Sequence, residues 1–167
     1  MEKTSTRSVA IKYGIILGVI CAILVAVIYI GQLNQNFGYI GIAATIAILY
    51  LAIKEYKDEN DGYMSFGKGV GLCVLLTVIG GAISGVFDFV YTSFVDPDIL
   101  QAILDEQMLK MEENPQMTDE MIEQARGFAE NFATPTVRLI GGLVSGLLGG
   151  AFWGLILSAI FKKDEPE

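Results

Sequence analysis

The sequence predicts an all-α integral membrane protein in which four spans form a helix bundle and an extracytoplasmic αα-hairpin joins the third span to the fourth. Hydrophobic residues make up 53% of the 167 residues, and the mean hydropathy is +0.52. Four apolar stretches approach or exceed the length of about 18–20 residues that crosses a bilayer. Little chain remains outside them, so we expect residues 1–167 to form a single membrane domain.

The first two spans are predicted at about residues 9–30 and 37–53, and the second is near the lower limit of length. Residues 9–30 follow a basic start, as the core of a signal peptide does. Their apolar core is too long for one, however, and no A-x-A-like cleavage site follows, so we expect a retained helix. Cys21 and Cys73 lie in apolar segments and are predicted to be buried small hydrophobes.

The third and fourth spans, at about residues 70–95 and 137–161, carry small residues at every fourth position. Glycine costs a water-exposed helix about 1 kcal/mol relative to alanine, but in lipid small residues let two helices approach closely. We therefore predict that the two tracks face each other in antiparallel helices, with helix-packing positions at Gly69, Gly81, Gly85, Gly142, Gly146, Gly150 and Gly154. A seam within one chain is favoured, and a homo-oligomer interface is the alternative.

The predicted outer hairpin occupies about residues 96–133. Asp96 and Pro97 suit the start of its first helix, and Thr118 suits the cap of its second. Segment 94–133 holds ten acidic and two basic residues, so the whole net charge of −8 falls there. The apolar face of the hairpin either packs within the protein, docks a partner protein or lies in the lipid interface.

Two charged residues lie at the outer ends of the third and fourth spans. Asp88 follows the small track of the third span, and Arg138 precedes the glycine ladder of the fourth. Because these spans are antiparallel, we predict a structural ion pair between Asp88 and Arg138. An acid inside an apolar segment is also a functional candidate, so a gating or proton-site role for Asp88 is the alternative.

The distribution of lysine and arginine predicts the orientation of the spans. Eight basic residues lie at the N-terminus, between the second and third spans, and at the C-terminus: Lys3, Arg7, Lys12, Lys54, Lys57, Lys68, Lys162 and Lys163. Three lie between the third and fourth spans or at their edge, and the first link, residues 31–36, has none. We therefore expect a multi-pass protein of the inner cell membrane with both termini in the cytoplasm.

The cytoplasmic link contains two charged and aromatic segments, residues 54–60 (KEYKDEN) and 62–68 (GYMSFGK). Together with the layout of the spans and the acidic hairpin, this link resembles the bacterial domain of unknown function 4199 family. The resemblance implies a small four-helix membrane protein of no assigned activity. The link either anchors the helices at the lipid surface or binds a partner through Lys54, Glu55, Tyr56, Lys57, Asp58 and Glu59.

No enzymatic chemistry is expected, since the chain has no histidine, P-loop, nucleophile elbow or intramembrane acid pair. We likewise expect no catalytic residue, cofactor, metal ion or nucleic-acid partner. The leading hypothesis is a structural or accessory membrane protein that contacts the bilayer and presents the outer hairpin or the inner link to a protein partner. The alternative is a small transporter or channel subunit that uses Asp88 near the outer boundary.

Overall fold

The computed structural model describes residues 4–31 and 38–164. Within these ranges it contains six helices and no strand: α1 (Thr6–Gly31), α2 (Gly38–Asp58), α3 (Phe66–Val90), α4 (Ile99–Glu112), α5 (Asp119–Phe132) and α6 (Pro135–Phe161). A π-helical segment, Tyr91–Val95, continues α3. Lys3, the uncharged link at 32–36 and the predicted start of the second span at residue 37 lie outside the described residues.

Four of these helices are long and apolar enough to cross a membrane: α1, α2, α3 with its π-helical extension, and α6. The all-helical class is therefore confirmed, and each of the four predicted spans coincides with a helix that is long and apolar enough to cross a membrane. The second span extends beyond its predicted end at residue 53, because no helix-breaking residue follows until the turn at Asp61 and Gly62. Both turn residues have left-handed φ angles, 54° and 80°, which end the helix before α3 begins at Phe66.

The described chain contains two compact units. The first holds α1, α2, the part of α3 up to Ser84 and the part of α6 from Gly142. Helix α1 packs against α2. On α1, Gly14 and Gly18 lie under Ile79 and Ile83 of α3, where a Cβ atom would come within 3.0 Å of the isoleucine side chains. The core of this unit consists of Val9, Ala10, Leu17, Ile48, Leu49, Ala52, Ile53, Tyr56, Met64, Leu72, Cys73, Leu76 and Leu157.

The second unit, residues 85–141, holds the end of α3, the π-helical segment, α4, α5 and the start of α6. Helix α4 packs against α5 and buries Leu100, Leu104 and Met108. The Oγ1 atom of Thr118 accepts a hydrogen bond from Met121 N–H, which caps α5.

The predicted start of the first outer helix at Asp96 and Pro97 is wrong. Asp98 is the residue that precedes α4, and its side chain makes no capping hydrogen bond. The π-helical segment continues the third helix to Val95, and the Asp96 N–H donates to Tyr91 O at 2.9 Å. Asp96 therefore ends the π-helical segment, and its carbonyl accepts a 3.4 Å hydrogen bond from Ile99 N–H in the turn that precedes α4.

Candidate functional site

A polar cluster joins α1 to α2 in the first unit. The Lys12 ammonium donates to both carboxylate oxygens of Glu55, at 2.6 and 2.8 Å, and the Tyr13 hydroxyl donates to Glu55 Oε2 at 2.9 Å. Hydrogen bonds to a charged acceptor are among the stronger ones in proteins. Glu55 therefore holds two side chains of a neighbouring helix, and its own side chain remains partly exposed.

Residues after Glu55 join the C-terminal end of α6 to α2. Lys57 Nζ donates to the Phe161 carbonyl at 2.9 Å, and the Phe161 ring lies 5.6 Å from that of Tyr50. Met64 and Lys163 exchange two backbone hydrogen bonds, of 2.9 and 3.0 Å. We call the set Lys12, Glu55, Lys57, Met64 and Lys163 the polar clamp. The polar clamp connects α1, α2 and the end of α6, so charged residues of the link make contacts within the first unit.

The six residues of the link that could bind a partner thus divide into two groups. Glu55 and Lys57 belong to the polar clamp, and Tyr56 is buried in the core. Lys54, Asp58 and Glu59 are exposed. These three are the residues of the segment 54–59 whose side chains remain accessible to another molecule.

The glycines of α3 and α6 line a close helix contact in the first unit. A Cβ atom at Gly146 would lie 2.8 Å from the carbonyl oxygen of Thr77, and one at Gly81 would lie 3.0 Å from the carbonyl oxygen of Gly142. Gly150 lies against Thr77 and Val74, Gly154 against Cys73 and Val70, and Gly69 against Ser158. In the second unit, Gly85 lies against Leu139. Each of the seven glycines singled out from the sequence therefore faces the other helix, although Gly142 has 3.8 Å of room.

Asp88 and Arg138 meet in the second unit. Arg138 Nε donates to Asp88 Oδ2 at 3.0 Å, and Arg138 Nη2 lies 3.5 Å from Asp88 Oδ1. The Asp88 side chain is 10% exposed, whereas that of Arg138 is 37% exposed. Thr92, which is buried, donates its hydroxyl to the Asp88 carbonyl at 2.7 Å. The carboxylate is thus neutralised locally, and the guanidinium reaches the surface.

An apolar face of α5 has no cover within the described residues of the second unit. None of the residues of α5 is buried, and Met121, Phe128 and Phe132 are exposed on one side of the helix. The Phe128 and Phe132 rings lie 4.8 Å apart. Beside them runs a groove of about 260 Å³, whose walls come from α4, α5 and the Arg138 side chain. We call Met121, Phe128, Phe132 and this groove the outer apolar face.

The second unit is rich in acidic residues, and they do not converge on one point. Arg126 lies 3.5 Å from Asp105, and Lys110 pairs with Glu106, so both basic residues of the segment are used within it. Among the residues that the structure describes, no three Asp, Glu, Cys or His side chains are grouped so that they could hold a metal ion. Segment 94–133 therefore combines a net negative charge with an exposed apolar face on α5.

The sequence profile of a protein family of unknown function, DUF4199, matches residues 12–163. The chain belongs to this family. Neither the curated proteins nor the solved structures contain a match. The predicted family membership is thus confirmed, and it supplies no activity for any residue.

Two features were missed by reasoning from the sequence. The contact of Lys12 and Tyr13 with Glu55 joins residues more than 40 positions apart. The sequence does place a lysine and a carboxylate at the same predicted membrane boundary, and this contact could have been predicted from that placement. The π-helical segment has no such signal, since residues 91–95 (YTSFV) also suit an α-helix or a strand.

Proposed function

We propose that this protein is a non-enzymatic structural or accessory protein of the inner cell membrane, and that it binds a protein partner with its outer apolar face. In this proposal its four spans form a bundle, both termini are cytoplasmic, and α4 and α5 form a hairpin on the extracytoplasmic side. The orientation is supported by the excess of lysine and arginine on the proposed cytoplasmic side.

The exposed aromatic residues of α5 are the observation that carries the proposal. Phe128 is 69% exposed and Phe132 52%, on a helix that buries none of its own residues. Large contiguous apolar patches with a polar rim mark interaction sites on protein surfaces. The helix is short and amphipathic, and its apolar face is the part of it that gains most from a partner.

The net negative charge of segment 94–133 favours a basic protein partner over an anionic lipid surface. Segment 94–133 carries ten acidic residues and two basic ones, and both bases are paired within the segment. Amphipathic helices that bind membrane surfaces usually carry lysine and arginine on their polar face. Complementary charge guides association and selects among partners. We therefore infer a partner whose contact surface combines apolar and basic residues.

The inner link has less support as a partner site. Glu55, Tyr56 and Lys57 serve contacts within the first unit, which agrees with an anchoring role for the link. A second function, in a transporter or channel that uses Asp88, also has less support. Arg138 already neutralises that carboxylate, and a transport site would need polar groups open to the solute.

The test is site-specific photocrosslinking of the full chain in cells of its source. A photoreactive residue replaces Phe128 in one variant and Glu123, an exposed acid on the polar side of the same helix, in the matched control. We expect one protein adduct of defined mass from position 128 and none from position 123. Phe132→Ser should remove the adduct, and raised salt should weaken it because the segment carries a net negative charge.

Three results would contradict the proposal: adducts with lipid alone, equal protein adducts from both positions, or an adduct that Phe132→Ser leaves unchanged. In each case the outer apolar face would not be a specific protein-binding surface. Expression and membrane insertion of the variants, measured by immunoblot of membrane fractions, show that a lost adduct does not reflect lost protein.

A further inference from the structure

A cleft of about 350 Å³ opens between the four membrane-spanning helices of the first unit. Its walls include Leu17 and Cys21 of α1, Ile42 and Thr45 of α2, Thr77 of α3 and Trp153 of α6. Ligand sites in proteins have volumes of about 300–1,000 Å³, so the cleft has the size of a small binding site. It is formed entirely by residues of the apolar helices and contains no charged side chain.

Glycines shape this cleft without serving any helix contact. Gly38 and Gly41 of α2 and Gly149 of α6 line it, and a Cβ atom at any of the three would meet nothing within 4 Å. They differ in this respect from Gly146 and Gly150 on the neighbouring side of α6, which lie against α3. Packing between the described helices therefore explains Gly146 and Gly150. The other three glycines, on α2 and α6, leave the space of the cleft open.

Three of the four hydroxyl groups in the cleft, those of Thr45, Thr77 and Ser84, are bonded to their own helices. Thr45 Oγ1 donates to Gly41 O at 2.8 Å, Thr77 Oγ1 donates to Cys73 O at 2.9 Å, and Ser84 Oγ lies 3.4 Å from Gly81 O. A hydroxyl has one proton to donate, so these three offer no donor to a ligand. Ser145 also lines the cleft and makes no such bond to the described residues, so a solute with several polar groups would find few partners there and would lose most of its hydrogen bonds with water.

Most residues that line the cleft are glycines or have apolar side chains, so it suits an apolar occupant. Thin apolar molecules fit, and the bilayer around these helices consists of them. We propose that the cleft holds a hydrocarbon tail of a membrane lipid, which enters beside α2 and lies against the glycine surfaces of α2 and α6.

Trp153 makes the proposal testable with the chain as it exists, because it is the chain's one tryptophan and it lines the cleft. The full chain is reconstituted in phosphatidylcholine vesicles whose acyl chains carry bromine near their middle, and in unbrominated vesicles. Bromine quenches tryptophan fluorescence on contact. We expect strong quenching in wild type, and we expect Gly41→Leu, which fills the opposite wall, to recover at least half of the lost fluorescence.

Gly71→Leu is the matched control, since a Cβ atom at Gly71 also meets nothing within 4 Å and Gly71 does not line the cleft. It should leave quenching unchanged. Gly149→Leu provides a second filled variant on another helix and should act as Gly41→Leu does. Circular dichroism and elution volume in detergent identify any variant that is misfolded, and either filled variant suffices for the test.

Several outcomes would overturn the proposal. Equal quenching in wild type and in a folded Gly41→Leu variant would mean that Trp153 senses lipid outside the cleft. Quenching by aqueous acrylamide in place of brominated lipid would mean that the cleft holds water. Loss of bromine quenching as the protein-to-lipid ratio rises, together with crosslinked dimers, would mean that a second copy covers it.

Discussion

Removal of the Arg138 side chain tests the energetic role of the Asp88–Arg138 pair. In Arg138→Ala, the carboxylate of Asp88 keeps its position but loses the guanidinium that donates to it at 3.0 Å. The Asp88 side chain is only 10% exposed, so water can replace the lost donor poorly. The native state is therefore expected to lose stability, while the unfolded state is nearly unaffected.

The exposure of the two partners sets the size of the effect. Breaking a fully buried ion pair by removing one partner costs about 3–5 kcal/mol, because an uncompensated charge stays behind. The Arg138 side chain is 37% exposed, so solvent already weakens the pair and a part of this cost disappears. We expect a loss of about 2–3 kcal/mol, which is about a 30- to 140-fold change in the unfolding equilibrium at 1.4 kcal/mol per factor of ten.

The assay is reversible unfolding in mixed detergent micelles, followed by far-UV circular dichroism. Arg126→Ala is the matched control, because Arg126 pairs with Asp105 in the same unit while both side chains are more than 40% exposed. Such a pair contributes at most about 1 kcal/mol. The reversed pair, Asp88→Arg with Arg138→Asp, should recover much of the stability that either single reversal loses.

Equal losses in Arg138→Ala and Arg126→Ala would refute this account of the pair, since burial would then have no energetic effect. A double reversal no more stable than the single reversals would refute the direct contact. If Asp88→Asn instead abolished a solute flux or a growth phenotype at normal expression, the transporter hypothesis would replace the structural one.

Two further predictions concern the contact between α3 and α6, measured with the same unfolding assay. Gly146→Ala should lower the free energy of unfolding by about 1–3 kcal/mol through overpacking, because its Cβ atom would lie 2.8 Å from Thr77 O. Gly142→Ala, whose Cβ atom would have 3.8 Å to its nearest neighbour, should leave the stability nearly unchanged. Equal losses in the two variants would contradict the contact. Ser158→Ala should leave the stability unchanged or raise it by about 1 kcal/mol, because Ser158 Oγ is buried and has no hydrogen-bond partner among the described residues. A loss above about 1 kcal/mol would mean that the hydroxyl does make a hydrogen bond.

The membrane helices could be predicted from the sequence because each is encoded by a long local pattern. Hydrophobic length identified all four spans, and Gly69–Gly85 and Gly142–Gly154 share a four-residue spacing that brings small residues to one side of a helix. The ends of the helices depend on contacts that are not local. Asp96 suits a helix cap by residue type, but the π-helical segment before it determines where the chain leaves the third helix.

The two sets of glycines on α6 show why the candidate sites could not be predicted in the same way. Gly146 and Gly149 are three positions apart in one apolar helix, and spacing alone assigns both to close packing. Only Gly146 meets another backbone, while Gly149 opens onto the cleft, because the neighbouring helices differ on the two sides. A small residue indicates that space is needed beside the helix, but it does not indicate what occupies that space. Whether the neighbour of a glycine is a helix or a lipid depends on the tertiary structure. Substitutions that add volume to the cleft, without touching the contact between α3 and α6, can distinguish these two kinds of neighbour.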